Sequence, residues 1–293
     1  MVTVSVNAQA YAQPAKRSSP SKSAAGAKQR MQSSLETGET VALSRDSLSR
    51  IKAILVVGPV EESTSAFIEE TEEIASYLRG LGVQVKVFYD PAAKWNDIVR
   101  ESAGAHIFFY SGHGSKMGVQ GKAGGLCLSD GGMVSSATII RDLTLHKNAL
   151  VLFAKVCMGA GSSAGDDSDI GVAEAVERVS NYALPFVRIG AAGYYANNYY
   201  HSMLPFLRGF FNKKNLKQVY SETASRYSHI ETFEKFSYSP RLEVSVASCD
   251  HEGFSTRTTY TNGVKRVEQV PLFKNYDVAY VGIPGFTVLD FFR

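Results

Sequence analysis

Short apolar runs alternate with amphipathic segments between residues 52 and 236. The apolar runs are bounded by glycine, proline or polar residues and are shorter than ordinary helices, which is typical of strands. They predict strands at 52–59, 83–90, 106–112, 148–157 and 186–195. The amphipathic segments repeat their apolar residues every three or four positions, as the buried faces of helices do. They predict helices at 66–82, 92–102, 135–145, 170–183, 196–212 and 215–236.

Strands that alternate with helices predict an α/β domain. Because the central runs are apolar throughout, the sheet is predicted to be mostly parallel, with helices on both faces. The pattern changes after residue 238, where alternating segments and the turn Asn262-Gly263 predict β-hairpins. These hairpins form a β-rich extension or a small subdomain on the sheet edge.

Residues 1–47 lack an apolar block and an amphipathic period, and they are rich in alanine, serine and basic side chains. Such a segment cannot bury enough apolar surface to offset its ordering entropy, so it is predicted to be disordered. Its composition is also that of some targeting peptides, so export or targeting through this tail stays an alternative. The predicted domains are a tail at 1–47, an α/β domain at 48–237 and the extension at 238–293.

Composition and charge exclude several classes of protein. Residues 1–50 carry 7 Lys and Arg against 3 Asp and Glu, so the net charge of +3 comes from the tail and no nucleic-acid footprint is expected elsewhere. No apolar stretch approaches the roughly 18 residues needed to span a bilayer. Three cysteines, Cys127, Cys157 and Cys249, cannot form a disulfide framework and favour a reducing compartment such as the cytoplasm.

Two predicted strands end in side chains suited to catalysis. The strand at 106–112 runs into His113, and the strand at 148–157 ends in Cys157. If the two strands are parallel neighbours, their carboxyl ends meet at one edge of the sheet, and His113 and Cys157 lie at the same end. A thiolate is a nucleophile that a neighbouring imidazole can favour, which suits acyl transfer. The backbone N–H groups of Gly114 and Cys157 are the candidates for an oxyanion hole.

Other chemistry has less support. A single cysteine that ends an apolar strand is usually a core residue, and neither Cys127 nor Cys249 has a comparable histidine nearby in the sequence. The turn after Cys157 lacks the Gly-Lys-Ser/Thr of a phosphate-binding loop, and no Gly-x-Ser-x-Gly elbow marks a serine hydrolase. No pattern of metal-ligating cysteines or histidines is present, so no metal site is predicted from them.

The sequence YSGHG at 110–114, followed by the Cys157 turn after the next long strand, resembles the caspase-like cysteine peptidases of clan CD. CHAT, gingipain-like and clostripain-like domains are the most similar in pattern, and the resemblance covers roughly residues 50–235. It implies a caspase-like three-layer fold, a dyad of His113 and Cys157 that needs no third acidic residue, and a protein or peptide substrate. Some relatives pair through a sheet edge, so the resemblance allows a homodimer or a regulatory partner, with the alternative that the β-rich extension covers that edge.

One residue departs from the family pattern. The position two before the cysteine often lines the S1 pocket and is acidic in relatives that cleave after Arg or Lys, whereas here it is Lys155. A partly buried ammonium needs an anionic partner. If the substrate supplies that partner, the resemblance implies cleavage after Asp or Glu. If the protein supplies it, or Lys155 reaches solvent, this specificity does not follow.

Two further groups near the cysteine have more than one interpretation. The acidic segment at 165–169 suits calcium, which activates some relatives, or is a self-cleavage site if P1 is acidic, or supplies an Asp or Ser that caps the helix that follows. We favour the cap and predict no cofactor besides the calcium alternative. The tyrosines form an aromatic wall of the substrate pocket or belong to the core with satisfied hydroxyls; they are Tyr194, Tyr195, Tyr199 and Tyr200. The chain is thus predicted to be a cysteine endopeptidase, with a non-catalytic caspase-like binding or regulatory module as the alternative.

Overall fold

The computed structural model describes residues 43–163, 165–166, 168–198, 202–226, 228–249, 254–261, 264–271 and 274–293. Within these ranges the chain forms strands and helices that alternate as far as residue 224 and strands after it. The strands are β1 (Lys52–Val57), β2 (Gln84–Tyr89), β3 (Ala105–Ser111), β4 (Leu126–Cys127), β5 (Met133–Val134), β6 (Leu145–Ala154), β7 (Gly193–Asn197), β8 (His229–Lys235), β9 (Glu243–Cys249), β10 (Phe254–Thr261), β11 (Val264–Pro271) and β12 (Asn275–Gly282).

One short helix precedes the first strand, and the other helices lie between strands and pack on the sheet. They are α1 (Arg45–Leu48), α2 (Thr64–Leu81), α3 (Trp95–Ser102), α4 (Ser136–Asp142), α5 (Val172–Arg188), α6 (Leu204–Phe211) and α7 (Leu216–Ala224). Single turns of 3-10 helix occur at Glu61–Ser63, Val119–Gly121 and Val288–Phe292. Ser135 caps α4 by accepting a hydrogen bond from the Thr138 N–H.

A sheet of eight strands in the order β2-β1-β3-β6-β7-β12-β9-β8 forms the centre of the fold. The first five strands in that order are parallel to one another. β12 is antiparallel to β7, and β9 and β8 continue the sheet in antiparallel pairs. The predicted α/β class and mostly parallel sheet are therefore confirmed.

Apolar side chains on the two faces of the sheet form two separate cores. On one face, α3, α4 and α5 pack their buried residues against side chains such as Phe108 and Phe153. On the other face, α2, α6 and α7 pack against side chains such as Phe109 and Leu152. Because neighbouring residues of a strand point to opposite faces, the central stretches 107–110 of β3 and 149–154 of β6 are apolar at every position.

The apolar run at 186–195, predicted to be one strand, is divided between two elements. Its first residues belong to α5, which continues to Arg188 and buries Phe186 against Phe108 and Phe153. Gly190, with a φ of 100°, lies in the turn that follows, and the strand begins only at Gly193. The prediction was wrong at its start because a buried helical turn and a buried strand have the same apolar composition over four residues.

Both helices predicted after residue 196 are shorter than expected. The first begins only at Leu204, since 193–197 form β7. The second ends at Ala224, and residues 229–235 form β8 instead of helix. β8 pairs along the edge of β9, so its backbone hydrogen bonds are satisfied by a distant segment that local periodicity does not reveal.

Strands from the region at 238–293 join the central sheet. β9 and β12 continue it beyond β7, while β10 and β11 form a separate hairpin. The Asn262-Gly263 turn lies outside the described residues. Within the described ranges, no helix combines the length and the hydropathy needed to cross a membrane.

Candidate active site

The segments that carry His113 and Cys157 follow neighbouring strands. β3 and β6 pair directly, with Ser111 opposite Ala154 at the last position of each strand. The Ser111 hydroxyl donates to the carbonyl oxygen of Ala154 at 3.0 Å and ties the two ends together. The loop after β3 and the turn after β6 therefore start side by side at one edge of the sheet.

Gly114 packs directly against the backbone of Cys157. A Cβ at this position would lie 2.0 Å from the Cys157 carbonyl oxygen and 2.7 Å from the Tyr182 hydroxyl. Contacts this short do not occur, so any side chain here would push the loop and the turn apart. The glycine that follows the histidine is thus required by close backbone approach.

Two buried tyrosines support the loop after β3. The Tyr110 hydroxyl lies 3.0 Å from the carbonyl oxygens of both His113 and Cys127, and it accepts the Cys127 N–H at 3.0 Å. The Tyr182 hydroxyl accepts the Ser115 N–H at 2.7 Å. Burial raises the pKa of both tyrosines well above the ordinary value, so the hydroxyls stay protonated. Hydrogen bonds to two neutral, buried hydroxyls therefore fix the backbone of this loop.

Cys157 lies in a tight turn, three residues beyond the end of β6. Lys155 and Met158 have φ values of 60° and 65°, in the left-handed region that is uncommon for residues with side chains. The turn is closed by the Gly159 N–H, which donates to the Val156 carbonyl oxygen at 2.9 Å. Cys157 itself is partly exposed and carries a free thiol. Unusual backbone conformations held by the surrounding structure are frequent at functional sites.

Neither Gly114 nor Cys157 uses its backbone N–H for a hydrogen bond within the described part of the chain. Ser115, the next residue in the loop, does use its N–H, which the Tyr182 hydroxyl accepts. The two N–H groups proposed for the oxyanion hole are thus available, and that role stays a prediction.

An acidic residue that the sequence analysis did not single out contacts His113. The Glu61 carboxylate lies 2.9 Å from the Nε2 atom of His113. Glu61 lies in the loop after β1, which is the neighbour of β3 in the sheet. Because β1 is also a buried parallel strand, its carboxyl end lies at the edge that carries His113. The acidic residue after the Gly58-Pro59 stop was therefore a signal that sequence reasoning could have used.

A second cysteine, Cys127, lies near the same edge of the sheet. Burial is the main cause that raises the pKa of Cys127 to about 11, with smaller contributions from Cys157 and Glu61. A thiol with this pKa is almost entirely protonated near neutral pH and is a poor nucleophile. Cys249, at the end of β9, belongs to another part of the sheet.

Lys155 is paired inside the protein. Its ammonium forms an ion pair with Glu70 of α2 and lies over the ring of Phe67, 5.0 Å from the centroid. The two charged side chains are only 16% and 24% exposed. The sequence left open whether a substrate or the protein itself supplies the anionic partner of Lys155. In the structure the protein supplies it, through Glu70.

Tyr194 and Tyr195 lie in the core. Both are fully buried on β7, on opposite faces of the sheet. The Tyr194 hydroxyl donates to the Gly159 carbonyl oxygen at 2.8 Å and so supports the turn that carries Cys157. The Tyr195 ring stacks on Phe206. Neither side chain is exposed to solvent. Tyr199 and Tyr200 lie outside the described residues.

The acidic segment after the turn is attached to α5 and to the C-terminal strands. Asp166 pairs with Arg178 at 2.9 Å and accepts the Ser163 N–H, while Asp169 accepts the Lys274 N–H. The predicted cap was wrong, since α5 begins after Gly171 without a side-chain hydrogen bond. Asp167 lies outside the described residues. Among those described, no group of three or more His, Cys, Asp and Glu could hold a metal ion.

Comparison with known proteins gives no family assignment. No protein-family model matches the chain, and no curated protein sequence matches it significantly. A function for the chain therefore has to be argued from the geometry of the site.

Proposed function

We propose that the chain is a cysteine endopeptidase with Cys157 as nucleophile and His113 as its acid–base partner. The observation that carries this proposal is the packing of Gly114 on the Cys157 carbonyl, which joins the histidine loop to the cysteine turn. Two free N–H groups, a partly exposed thiol and a histidine held by a carboxylate support it further.

In this mechanism the Cys157 thiolate attacks the carbonyl carbon of the scissile bond. A C–S bond forms, and the carbonyl electrons move to the oxygen, which the N–H groups of Gly114 and Cys157 stabilise. Collapse of this intermediate breaks the C–N bond, and the His113 imidazolium gives its proton to the leaving amine. Water then attacks the thioester and gives a proton to His113, and cleavage of the C–S bond restores the thiolate.

The positive charge of Lys155, two residues before Cys157, affects which P1 side chain such an enzyme prefers. An acidic P1 side chain would have to compete with Glu70 for the Lys155 ammonium. We therefore propose only a weak preference for Asp or Glu in the wild-type protein. Loss of Glu70 would strengthen it, because an unpaired, partly buried ammonium gains from a new carboxylate.

The same ion pair favours a second candidate function. Because the Lys155 charge is already satisfied, the site is compatible with a non-catalytic caspase-like module that binds a regulatory partner or a second copy. A reducing compartment such as the cytoplasm would keep Cys157 as a free thiol in either case.

Peptide cleavage by single-residue variants separates the two candidates. We would compare wild type, Cys157→Ala and His113→Ala, with Cys127→Ala as the control for loss of a thiol near the site. A fluorogenic peptide library varied at P1, with and without calcium, measures the activity. A thiol-reactive probe, mapped by mass spectrometry, measures the reactivity of each cysteine.

We expect cleavage to fall at least about a hundredfold in the Cys157 and His113 variants and to persist in Cys127→Ala. The probe should label Cys157 before Cys127. Absence of cleavage for every peptide, together with equal labelling of Cys157 and Cys127, would overturn the peptidase proposal and favour the binding module.

A further inference from the structure

We propose that Glu61 is a positioning residue, which fixes the ring of His113 and determines which imidazole nitrogen serves Cys157. This inference rests on the proposed peptidase function. It concerns a residue 52 positions before His113 in the sequence, on a different strand end.

The contact assigns different tasks to the two ring nitrogens. An ionised carboxylate can only accept hydrogen bonds, so the His113 Nε2 atom, 2.9 Å from Glu61, carries a hydrogen and donates it. In the neutral imidazole, the lone pair is then on Nδ1. Nδ1 is therefore the atom that takes a proton from the Cys157 thiol and later delivers it to the leaving amine. Without the carboxylate, both tautomers and several ring orientations are open to the histidine.

An ion pair this exposed needs a fixed backbone to have an effect. The side chains of His113 and Glu61 are 38% and 56% exposed, and mobile pairs of this kind contribute little. Glu61, however, has a φ of 44°, in the left-handed region that a residue with a side chain seldom occupies. A conformation of this kind persists only where the surrounding structure enforces it.

The segment around Glu61 is held from both sides. Val60 is buried with Val57 and Phe67, and its N–H donates to the Thr64 hydroxyl at 2.8 Å. That hydroxyl donates in turn to the Glu61 carbonyl oxygen at 3.0 Å. The apolar anchor before Glu61 and the hydroxyl after it prevent the residue from rotating away.

The same loop is attached to the strand that carries His113. The Gly58 N–H donates to the Ser111 carbonyl oxygen at 3.0 Å, two residues before the histidine. A Cβ on Gly58 would lie 2.2 Å from the Cys127 carbonyl oxygen and 3.3 Å from the Tyr110 hydroxyl. The loop that carries His113 is hydrogen-bonded to the Tyr110 hydroxyl, and the loop that carries Glu61 packs close to the same hydroxyl at Gly58.

The chain offers a matched control for the charge. Glu62 is the next residue, is exposed, and forms neither a hydrogen bond nor an ion pair with His113, both residues being described in the structure. Glu62→Gln removes the same charge from nearly the same place. The test compares Glu61→Gln and Glu61→Gly with Glu62→Gln in the full chain, and the glycine variant adopts the φ of residue 61 without strain.

We expect Glu61→Gln to lower kcat roughly 10- to 100-fold, the range for a charge-assisted hydrogen bond, with KM changed less than twofold. The kcat is expressed per active site, counted by covalent labelling of Cys157, so that unfolded protein does not contribute. Glu61→Gly should lose as much activity while its Tm stays equal or rises. Iodoacetamide should alkylate Cys157 more slowly in both variants and at the wild-type rate in Glu62→Gln.

Three results would be decisive. A kcat within twofold of wild type in both Glu61 variants would overturn the inference. Full activity in Glu61→Gly, with a loss in Glu61→Gln that follows its Tm, would show a merely structural role and overturn it too. If no peptide is cleaved by the wild type, the peptidase proposal fails separately, and the alkylation rates still decide whether Glu61 acts on the pair.

Discussion

Replacement of Gly114 by alanine perturbs the contact between the histidine loop and the cysteine turn. The added methyl group would lie 2.0 Å from the carbonyl oxygen of Cys157 and 2.9 Å from its carbonyl carbon. Both atoms are backbone, so no side chain can rotate to relieve the clash. Carbon and oxygen approach to about 3.3 Å in favourable contacts, so the two segments must move apart by roughly 1 Å.

The expected magnitudes follow from that displacement. Forcing one methyl group into a packed site costs about 1–3 kcal/mol of unfolding free energy. A chain of this size loses about 2–4 °C of Tm for each kcal/mol. A misplacement of about 1 Å between reacting groups costs on the order of 100-fold in rate. Gly114→Ala should therefore lose far more activity than stability.

Thermal unfolding and the rate of Cys157 alkylation measure the two effects in one preparation. Gly165→Ala is the control, since among the described residues a Cβ there would meet the Ser163 hydroxyl alone, at 3.7 Å, which is an ordinary contact. The reasoning is refuted if Gly114→Ala has the same Tm and the same alkylation rate as Gly165→Ala. It would mean that the loop and the turn are not in backbone contact in solution.

Two further predictions concern charge. In Glu70→Gln, Lys155 loses its partner, so kcat/KM for peptides with Asp or Glu at P1 should rise about tenfold relative to peptides with Gln at P1. Adding Lys155→Met should remove this gain. An unchanged ratio between acidic and Gln P1 peptides would exclude Lys155 from the substrate site. Burial, assisted by His146, lowers the pKa of His106 from 6.5 to about 4. Between these pH values His106 binds a proton in the unfolded chain but not in the folded one. The free energy of unfolding should therefore fall as the pH decreases through that window, and above the window it should not depend on the titration of His106. Urea unfolding above, within and below the window measures this loss, which should shrink in His106→Gln; an equal loss in that variant would assign it to other groups.

The hydrophobic pattern was sufficient to predict the parallel part of the sheet. Runs such as 53–57 and 107–110 are apolar at every position because helices cover both faces, so the burial of each strand is visible in its own sequence. The order of strands and helices also predicted that the ends of β3 and β6 lie at one edge. The positions of His113 and Cys157 beyond buried parallel strands therefore required no tertiary information.

The same pattern failed where one apolar segment can serve two conformations. Residues 186–188 continue α5 because Phe186 finds Phe108 and Phe153 beneath it. Residues 229–235 become β8 because β9 offers a free edge to pair with. In both cases a distant surface decides the local structure, and propensity over a few residues is too weak to overrule it.

The partners of the site residues were decided by tertiary structure alone. Glu61 reaches His113, and Glu70 reaches Lys155, from a segment that the sequence presents only as a turn and an amphipathic helix. Tyr194 and Tyr195 are equally apolar in pattern, and only packing buried them in the core. Sequence by itself determined which residue types stand at the ends of the strands. Which carboxylate meets which cation depends on how the loops fold over that edge, because such contacts join residues far apart in the chain and leave no periodic signal in it.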